Sequence, residues 1–475
     1  MAELHELSAL ELGKRIATGE ISSEEAVRHF AGRIEASSHA PGAFLTLNLD
    51  DALARSRAFD EDAARARRAG EVPASPLAGV PTAIKDLNPT PGIRTTFGSY
   101  ACRDLVPEAG DNIVVRMQAA GLISLGKTNT PEFGTSCYTE NALGPAAETP
   151  WRAGHMAGGS SGGAATAVAA GLVPLAHGSD GGGSIRIPAS CCGLFGFKPS
   201  RGRISPAPAY GDPMGLATAG ALSRDVRDAA ALIDVLAGRE PGDPYWAPEA
   251  TGSFLSACQE APGRLRIARF SRPIITEAQV HPDCLAAYES MRALLESLGH
   301  EVVEIEAPIG PDAAPAFEVC WSVLTALAPL PADQEDDLMP ITRWLMDRGR
   351  STGAVEFGRA LVELRQIAAR ALEALAPYDA VLTPTLAQPP LEVGAIRDDE
   401  DPHADFEAQK RFSPFTSAWN VTGMPAVSIP TAVSGSGLPI GTMLAGRPGE
   451  DHALFSLAAQ IETATGFPAW RAPGV

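Results

Sequence analysis

Apolar positions recur at helical spacing through the first seventy residues. Ser22 and Glu25 form an S-x-x-E capping signal before EEAVRHFAGRIEA, and Asp50 to Ala69 is a second amphipathic run that Gly70 ends. The pattern then shortens. PLAGVPTAIKDL (76–87) reads as a short apolar strand, Asp111 caps a helix over NIVVRMQAAG, and LISLG follows as another strand. Helix, glycine and strand in this rhythm predict an α/β fold. Further on, RLRIARF, a helix over Pro282–Leu298, and EVVEIEAP after Gly299 predict a strand–helix–strand unit. Residues 308–350 read as helical and acidic. A helix over Glu356–Leu375 leads to the strand DAVLTPT, and PHADFEAQKRFSPF begins another helix. MPAVSIP and LPIGTMLAG read as strands, and HALFSLAAQIETATG as a closing helix. No internal repeat or low-complexity linker divides the 475 residues.

Composition changes this picture in one place. Thirteen of the 47 glycines fall within residues 154–202. The apolar stretches AATAVAAGLVPLA and SIRIPASCCGLFGF interrupt them, so this is not a flexible linker. Dense glycine here marks backbone that bends unusually or approaches something closely. The formal net charge is −19, which disfavours nucleic acid and anionic membranes and tilts any substrate toward neutrality. No apolar run reaches the ~18–20 residues of a membrane span, and MAELHELSALELGKR lacks the pattern of a signal peptide. A cytoplasmic location is the expectation. The seven cysteines show no C-x-x-C spacing, and the nine histidines no H-x-x-x-H, so neither a disulfide framework nor a metal site is expected. No phosphate-binding glycine motif is present, and no cofactor is expected.

Serine nucleophiles remain. Gly158-Gly159-Ser160-Ser161-Gly162 fits G-x-S-x-G, but no buried strand precedes it as a nucleophile elbow requires. Ser124-Leu125-Gly126-Lys127 fits S-x-x-K, but its serine lies inside an apolar strand and not at a helix start. The third candidate is Ser184, preceded by Gly181, Gly182 and Gly183, whose backbone N–H groups are unobstructed by side chains and can converge as an oxyanion hole.

The segment GGSSGGAATAVAAGLVPLAHGSDGGGSIRIPASCCGLFGFKPSRGRI (158–204) resembles the signature of the amidase signature family of serine hydrolases. GVPTAIKDL (79–87) is similar to that family's lysine segment. LGKTNTPEFG (125–134) and GPAAETPW (144–151) resemble its connecting region, and NVTGMPAVSIPTAVSGSGLPIGTMLAG (420–446) its closing strands. The texture is most similar to aryl-acylamidase, nylon-oligomer hydrolase and urethane-cleaving relatives. The resemblance implies a single large α/β/α domain over residues 1–475, with a central mixed, twisted sheet flanked by helices. Its parts would be an N-terminal helical part (1–70), a catalytic segment (75–205), a variable substrate-loop part (206–420) and closing strands with a helix (421–475).

The resemblance also implies a triad: Ser184 as nucleophile, Ser160 as the bridging serine after a cis peptide, and Lys85 as terminal base. Gly181, Gly182, Gly183 and Ser184 would form the oxyanion hole, and Ser161, Asp180 and Arg186 would orient the triad. Lysine can act as a base only when neutral, so its pKa of ~10.4 must fall by about three units, roughly 4 kcal/mol. Without the family, a plain ion pair of Lys85 with the adjacent Asp86 is the simpler reading. Two positions depart from the family's habit: Thr149 stands where many relatives have Asn, and Met443 where Gln is common.

The expected reaction is acyl transfer to Ser184 followed by hydrolysis, on a small neutral, aryl or hydrophobic amide. A carbamate hydrolase, an amidotransferase amidase subunit and a catalytically dead binding protein are the alternatives. Substrate choice should sit near 133–142, 205–219 and 311–350, with Phe133, Tyr138, Tyr210 and Trp321 as pocket candidates. The expected partner is the small-molecule substrate alone, on a monomer or homodimer.

Overall fold

The computed structural model describes residues 3–71, 74–330 and 334–473. Its strands are β1 (Phe44–Leu47), β2 (Pro81–Lys85), β3 (Ile123–Thr128), β4 (Leu175–Asp180), β5 (Phe195–Lys198) and β6 (Thr218–Ser223). They continue as β7 (Arg266–Arg269), β8 (Glu301–Glu304), β9 (Ala380–Pro384), β10 (Ala426–Val433) and β11 (Pro439–Gly446). A three-stranded sheet has the order β1-β3-β2, and an eight-stranded sheet the order β4-β6-β5-β10-β11-β9-β7-β8. The larger sheet is antiparallel from β4 to β9 and parallel from β9 to β8. The larger sheet is the mixed sheet flanked by helices that the family resemblance implies, and the three-stranded sheet is an addition to it.

The helical expectations hold with small shifts. Ser22 caps helix Ser23–Ala36 by accepting from the Glu25 N–H, and Gly70 ends helix Leu49–Ala69 in the left-handed region. Asp111 precedes helix Asn112–Ala119 but makes no side-chain cap; its carboxylate accepts instead from Asn88 Nδ2 at 2.8 Å. The acidic stretch 308–350 carries helices Ala314–Ala326 and Pro340–Ser351; its residues 331–333 lie outside the described residues.

Alternate residues of the central strands serve two cores, as the two-residue period of a strand requires. Val427, Leu444, Leu382 and Ile267 pack with Leu232 of helix Val226–Leu236 and Phe455 of helix Asp451–Thr465. Ala426, Met443, Val381 and Ala268 turn the other way, toward Trp419 and helix Ala354–Leu375. Each large apolar side chain taken fully out of water contributes about 1.5–3 kcal/mol. The two sheets meet edge to edge. Thr82 of β2 donates to the Leu175 carbonyl of β4 at 3.2 Å. That joint brings the end of β2 beside the end of β4, and the glycine-rich turn after β4 lies next to both.

Candidate active site

Lys85 is the last residue of β2 and is wholly buried. Its Nζ donates to Ser160 Oγ at 2.7 Å and to Ser179 Oγ at 3.1 Å. The Gly159–Ser160 peptide is cis. Burial lowers the Lys85 pKa to about 7, with Asp180 acting partly against the fall. The simpler pairing with Asp86 is not what forms. The Asp86 carboxylate takes the Thr96 N–H at 2.8 Å and faces Lys127 Nζ at 3.1 Å. Lys127 is that carboxylate's partner and is anchored by Asn88 O and Thr95 Oγ1, although burial pushes its own amine down against the pull of Asp86. Asp86 therefore has an amine partner without Lys85.

His177 sits under this group. Its Nδ1 accepts from the Lys85 backbone N–H at 3.4 Å, and burial, reinforced by Lys85 and Lys127, lowers its pKa to about 3. It is a neutral imidazole that packs the lysine's surroundings.

Ser184 closes the turn that leaves β4 and enters helix Arg186–Cys192. The turn is shaped by Asp180. Its carboxylate accepts from the Gly183 N–H at 2.8 Å and the Ile185 N–H at 3.1 Å, and from Arg186 through two bonds of 2.8 and 2.9 Å. Burial alone would raise the Asp180 carboxyl, but the Arg186 guanidinium overrides it and holds the group well below the usual carboxylate range. Arg186 also donates to Thr416 O and Asn420 Oδ1, and its Nη1 lies 3.4 Å from Met443 Sδ. Ser161 ties the two serine loops together: its N–H donates to Ser184 O and its hydroxyl to Ser179 O.

One oxyanion candidate changes role. The Gly183 N–H is committed to Asp180, which leaves the N–H groups of Gly181, Gly182 and Ser184 as the set that can face a substrate. Gly183 shapes the turn instead. Its φ is 137°, and a Cβ there would stand 2.4 Å from Thr416 Oγ1. Thr416 in turn donates to Gly182 O at 2.6 Å. Thr416 and Asn420 brace this turn and are not singled out by the sequence, although Asn420 opens the NVTGMP segment.

A solvent-open cavity of about 620 Å³ reaches Ser184 and Gly182. Its walls include Ile187, Ile275, Phe406 and the stacked rings of Phe317 and Trp321, 5.6 Å apart. Lys410 lines it too, held by Glu318 at 2.6 Å and Glu407 at 2.5 Å. Of the four predicted pocket aromatics, Trp321 lines this cavity and three do not. Tyr138 is buried behind it, with its hydroxyl donating to Asp405 at 2.6 Å. Phe133 stacks on Phe97 at 6.3 Å. Tyr210 lines a second cavity. Phe317, one turn before Trp321, carried an i,i+4 aromatic signal that could have found it.

Among the described residues, one group could hold a metal, Glu3 with His5 and His29, and it shares no residue with this site. Among the same residues, no helix is long and apolar enough to cross a membrane.

The profile of the family described as "Amidase" matches residues 25–455. The 6-aminohexanoate-cyclic-dimer hydrolase of Pseudomonas sp. (strain NK87) is 36% identical over 425 residues, covering 84% of this chain and 86% of the relative. A solved structure of 6-aminohexanoate cyclic dimer hydrolase in complex with substrate superposes with a TM-score of 0.91 at 31% identity, over 99% of each chain. A bacterial aryl acylamidase of the amidase signature enzymes superposes with a TM-score of 0.86 at 26% identity, over 99% of this chain and 100% of that one.

Proposed function

The chain belongs to the amidase signature family, hydrolases of amide C–N bonds, and from that membership we propose that Ser184 is its nucleophile, with Ser160 and Lys85 as the proton relay. One observation carries the reading: a fully buried lysine, with its pKa lowered to about 7, 2.7 Å from the hydroxyl of a serine that follows a cis peptide. A neutral amine at that point can accept a proton near pH 7, which an ordinary lysine cannot. Lys85 takes the proton of Ser160, which takes that of Ser184 as Ser184 Oγ attacks the carbonyl carbon. The developing oxyanion is met by the N–H groups of Gly181, Gly182 and Ser184. The proton then returns through Ser160 to the leaving nitrogen as the C–N bond breaks. Water repeats the sequence on the acyl-enzyme. Asp180 and Arg186 hold the turn that aims these donors.

The substrate is a small amide with an apolar or aryl acyl group. The aromatic and aliphatic cavity beside Ser184 supports this. The relatives named for an aryl acylamide, whose aryl group is on the amide nitrogen, and for a 6-aminohexanoate cyclic dimer support the amide class and leave the acyl group to the cavity. Acetanilide-type and alkyl amides should be turned over, and a fluorophosphonate should label Ser184. Hydrolysis surviving in Ser184→Ala, or label on another residue, would overturn the assignment.

A further inference from the structure

A lysine base that serves an anilide must be freed of a proton in every turnover. Hydrolysis turns amide and water into a carboxylic acid and an aryl amine. The amine leaves neutral near pH 7, and the acid, with a pKa of about 4, ionises. The proton so freed runs from the acid through Ser184 and Ser160 to Lys85, whose amine holds it more tightly, with a pKa of about 7. The lysine accepts no further proton until it has given this one up.

Its contacts offer two ways out. Ser160 Oγ, at 2.7 Å, leads back to Ser184, where product and substrate lie. Ser160 is 2% exposed and lines neither of the two cavities described above. Ser179 Oγ, at 3.1 Å, leads the other way. Ser179 is partly exposed and lines the second cavity, about 1070 Å³ and open to solvent. A serine hydroxyl can accept one hydrogen bond while donating another. Ser179 Oγ accepts from Lys85 Nζ, and among the described residues no acceptor takes its own proton. That proton is free to turn toward the second cavity. Asp111 and Asp212 outnumber Arg201 among the charged residues lining this space, which favours a departing positive charge.

We propose that Ser179 is the proton outlet of Lys85: the ammonium passes a proton to Ser179 Oγ as Ser179 gives its own to water in the second cavity. One N–H bond of the lysine breaks, one O–H bond forms on Ser179, and the serine's former O–H breaks to leave a hydronium ion. The serine ends as it began, and the lysine ends neutral. The outlet works while the first cavity is occupied. The inference rests on the triad proposed above, and it makes Ser179 a residue that acts through Lys85 and not on the substrate.

The test follows nitroaniline release from excess 4-nitroacetanilide by stopped flow, at pH 8 in dilute buffer. The wild type should release it linearly. Ser179→Ala should release one equivalent and then slow at least tenfold. Ala217→Phe should show the same two phases with the hydroxyl kept. Ala217 is exposed, lines the second cavity and lies two residues before Ala219, the ladder partner of Ser179. Ser179→Thr, which retains a hydroxyl, should restore linear release, and imidazole, a small proton carrier, should speed the slow phase of Ser179→Ala. Linear release in both Ser179→Ala and Ala217→Phe overturns the outlet. So does an equal fall of first and later turnovers, which would make Ser179 only a support for Lys85. A slow phase in which intact mass shows acetyl-enzyme also overturns it, because the delay then lies in deacylation. Ser184→Ala reports separately: hydrolysis surviving in it overturns the triad, whereas an inert Ser184→Ala with linear release in the other variants overturns the outlet alone.

Discussion

A lysine held neutral inside a protein leaves two measurable marks, one on rate and one on stability. The unfolded chain keeps the Lys85 proton up to about pH 10.4, whereas the folded chain releases it near 7. Activity should therefore rise with pH through about 7 and level off as the amine becomes neutral. The unfolded state binds more protons between these two values, so the lysine's unfavourable contribution is full below about pH 7 and fades as pH climbs toward 10. It is on the order of 5 kcal/mol. Lys85→Met should lower kcat by a factor on the order of 10³ or more. It should also raise stability at pH 6 and raise it less at pH 9.5. Urea denaturation of both proteins across that range checks this, and a stability difference that ignores pH would show that Lys85 is not neutral. A second residue-scale expectation concerns Met443, where relatives commonly carry Gln. Arg186 Nη1 points at its sulfur from 3.4 Å, a weak acceptor for a buried guanidinium. In Met443→Gln an amide oxygen should replace it and raise stability by about 0.5–1.5 kcal/mol, read as a higher Tm.

At the scale of elements, the glycine turn proposed as catalytic is held by its neighbours more than by its own sequence. Gly183→Ala places a methyl against Thr416 Oγ1 in a backbone conformation that L side chains rarely adopt. The turn must shift, and with it the N–H donors and Ser184. We expect kcat to fall by about 10²-fold or more, the scale of losing an oxyanion donor, with a smaller change in KM. Circular dichroism and kinetics on the same sample separate this from unfolding. The elements legible in the sequence are those with a clear period and punctuation, such as Ser23–Ala36 between Ser22 and its following turn, or Pro282–Ser297 before Gly299. The turn's own supports are harder to read. β4, β5 and β6 are short and buried nearly throughout, with small residues such as Gly178, Ala221 and Gly196, so they show no alternation. Helix Gly162–Ala169 is buried on every side and has no polar face to give a helical period. β1 hides between helices in the N-terminal part. Lys85, Ser160 and Ser184, proposed as the triad, sit in local motifs, so their positions are legible in the amino-acid sequence. The pocket is not, because Phe317, Trp321, Phe406 and Ile275 come together only through the packing of distant helices. Tyr138 shows the limit well. It has the chemistry of a pocket residue, yet Asp405, 267 positions away, draws its hydroxyl into the interior.

For the whole molecule, the net charge of −19 sets how substrates arrive. Such a surface carries a negative potential that extends for about a Debye length, roughly 30 Å at 0.01 M salt and 10 Å at 0.1 M. A neutral amide does not feel it, so its kcat/KM should stay level as salt is raised. An amide whose acyl group bears a carboxylate approaches against the field. Its kcat/KM should be low in dilute buffer and climb several-fold as salt screens the repulsion. Local charge at the first cavity does not reverse this, because Lys410 is already held by both Glu318 and Glu407. Those bonds tie its ammonium to carboxylates on two different helices, Ala314–Ala326 and Pro402–Phe412. The discriminating case is therefore Lys410→Gln. If the field of the whole surface governs approach, this variant and the wild type should show the same rise with salt for the anionic amide, measured as kcat/KM between 10 mM and 500 mM sodium chloride. If instead Lys410 captures the carboxylate, wild-type kcat/KM would fall with salt and the variant would lose that dependence, and the preference for neutral amides would then lie in the cavity and not in the net charge.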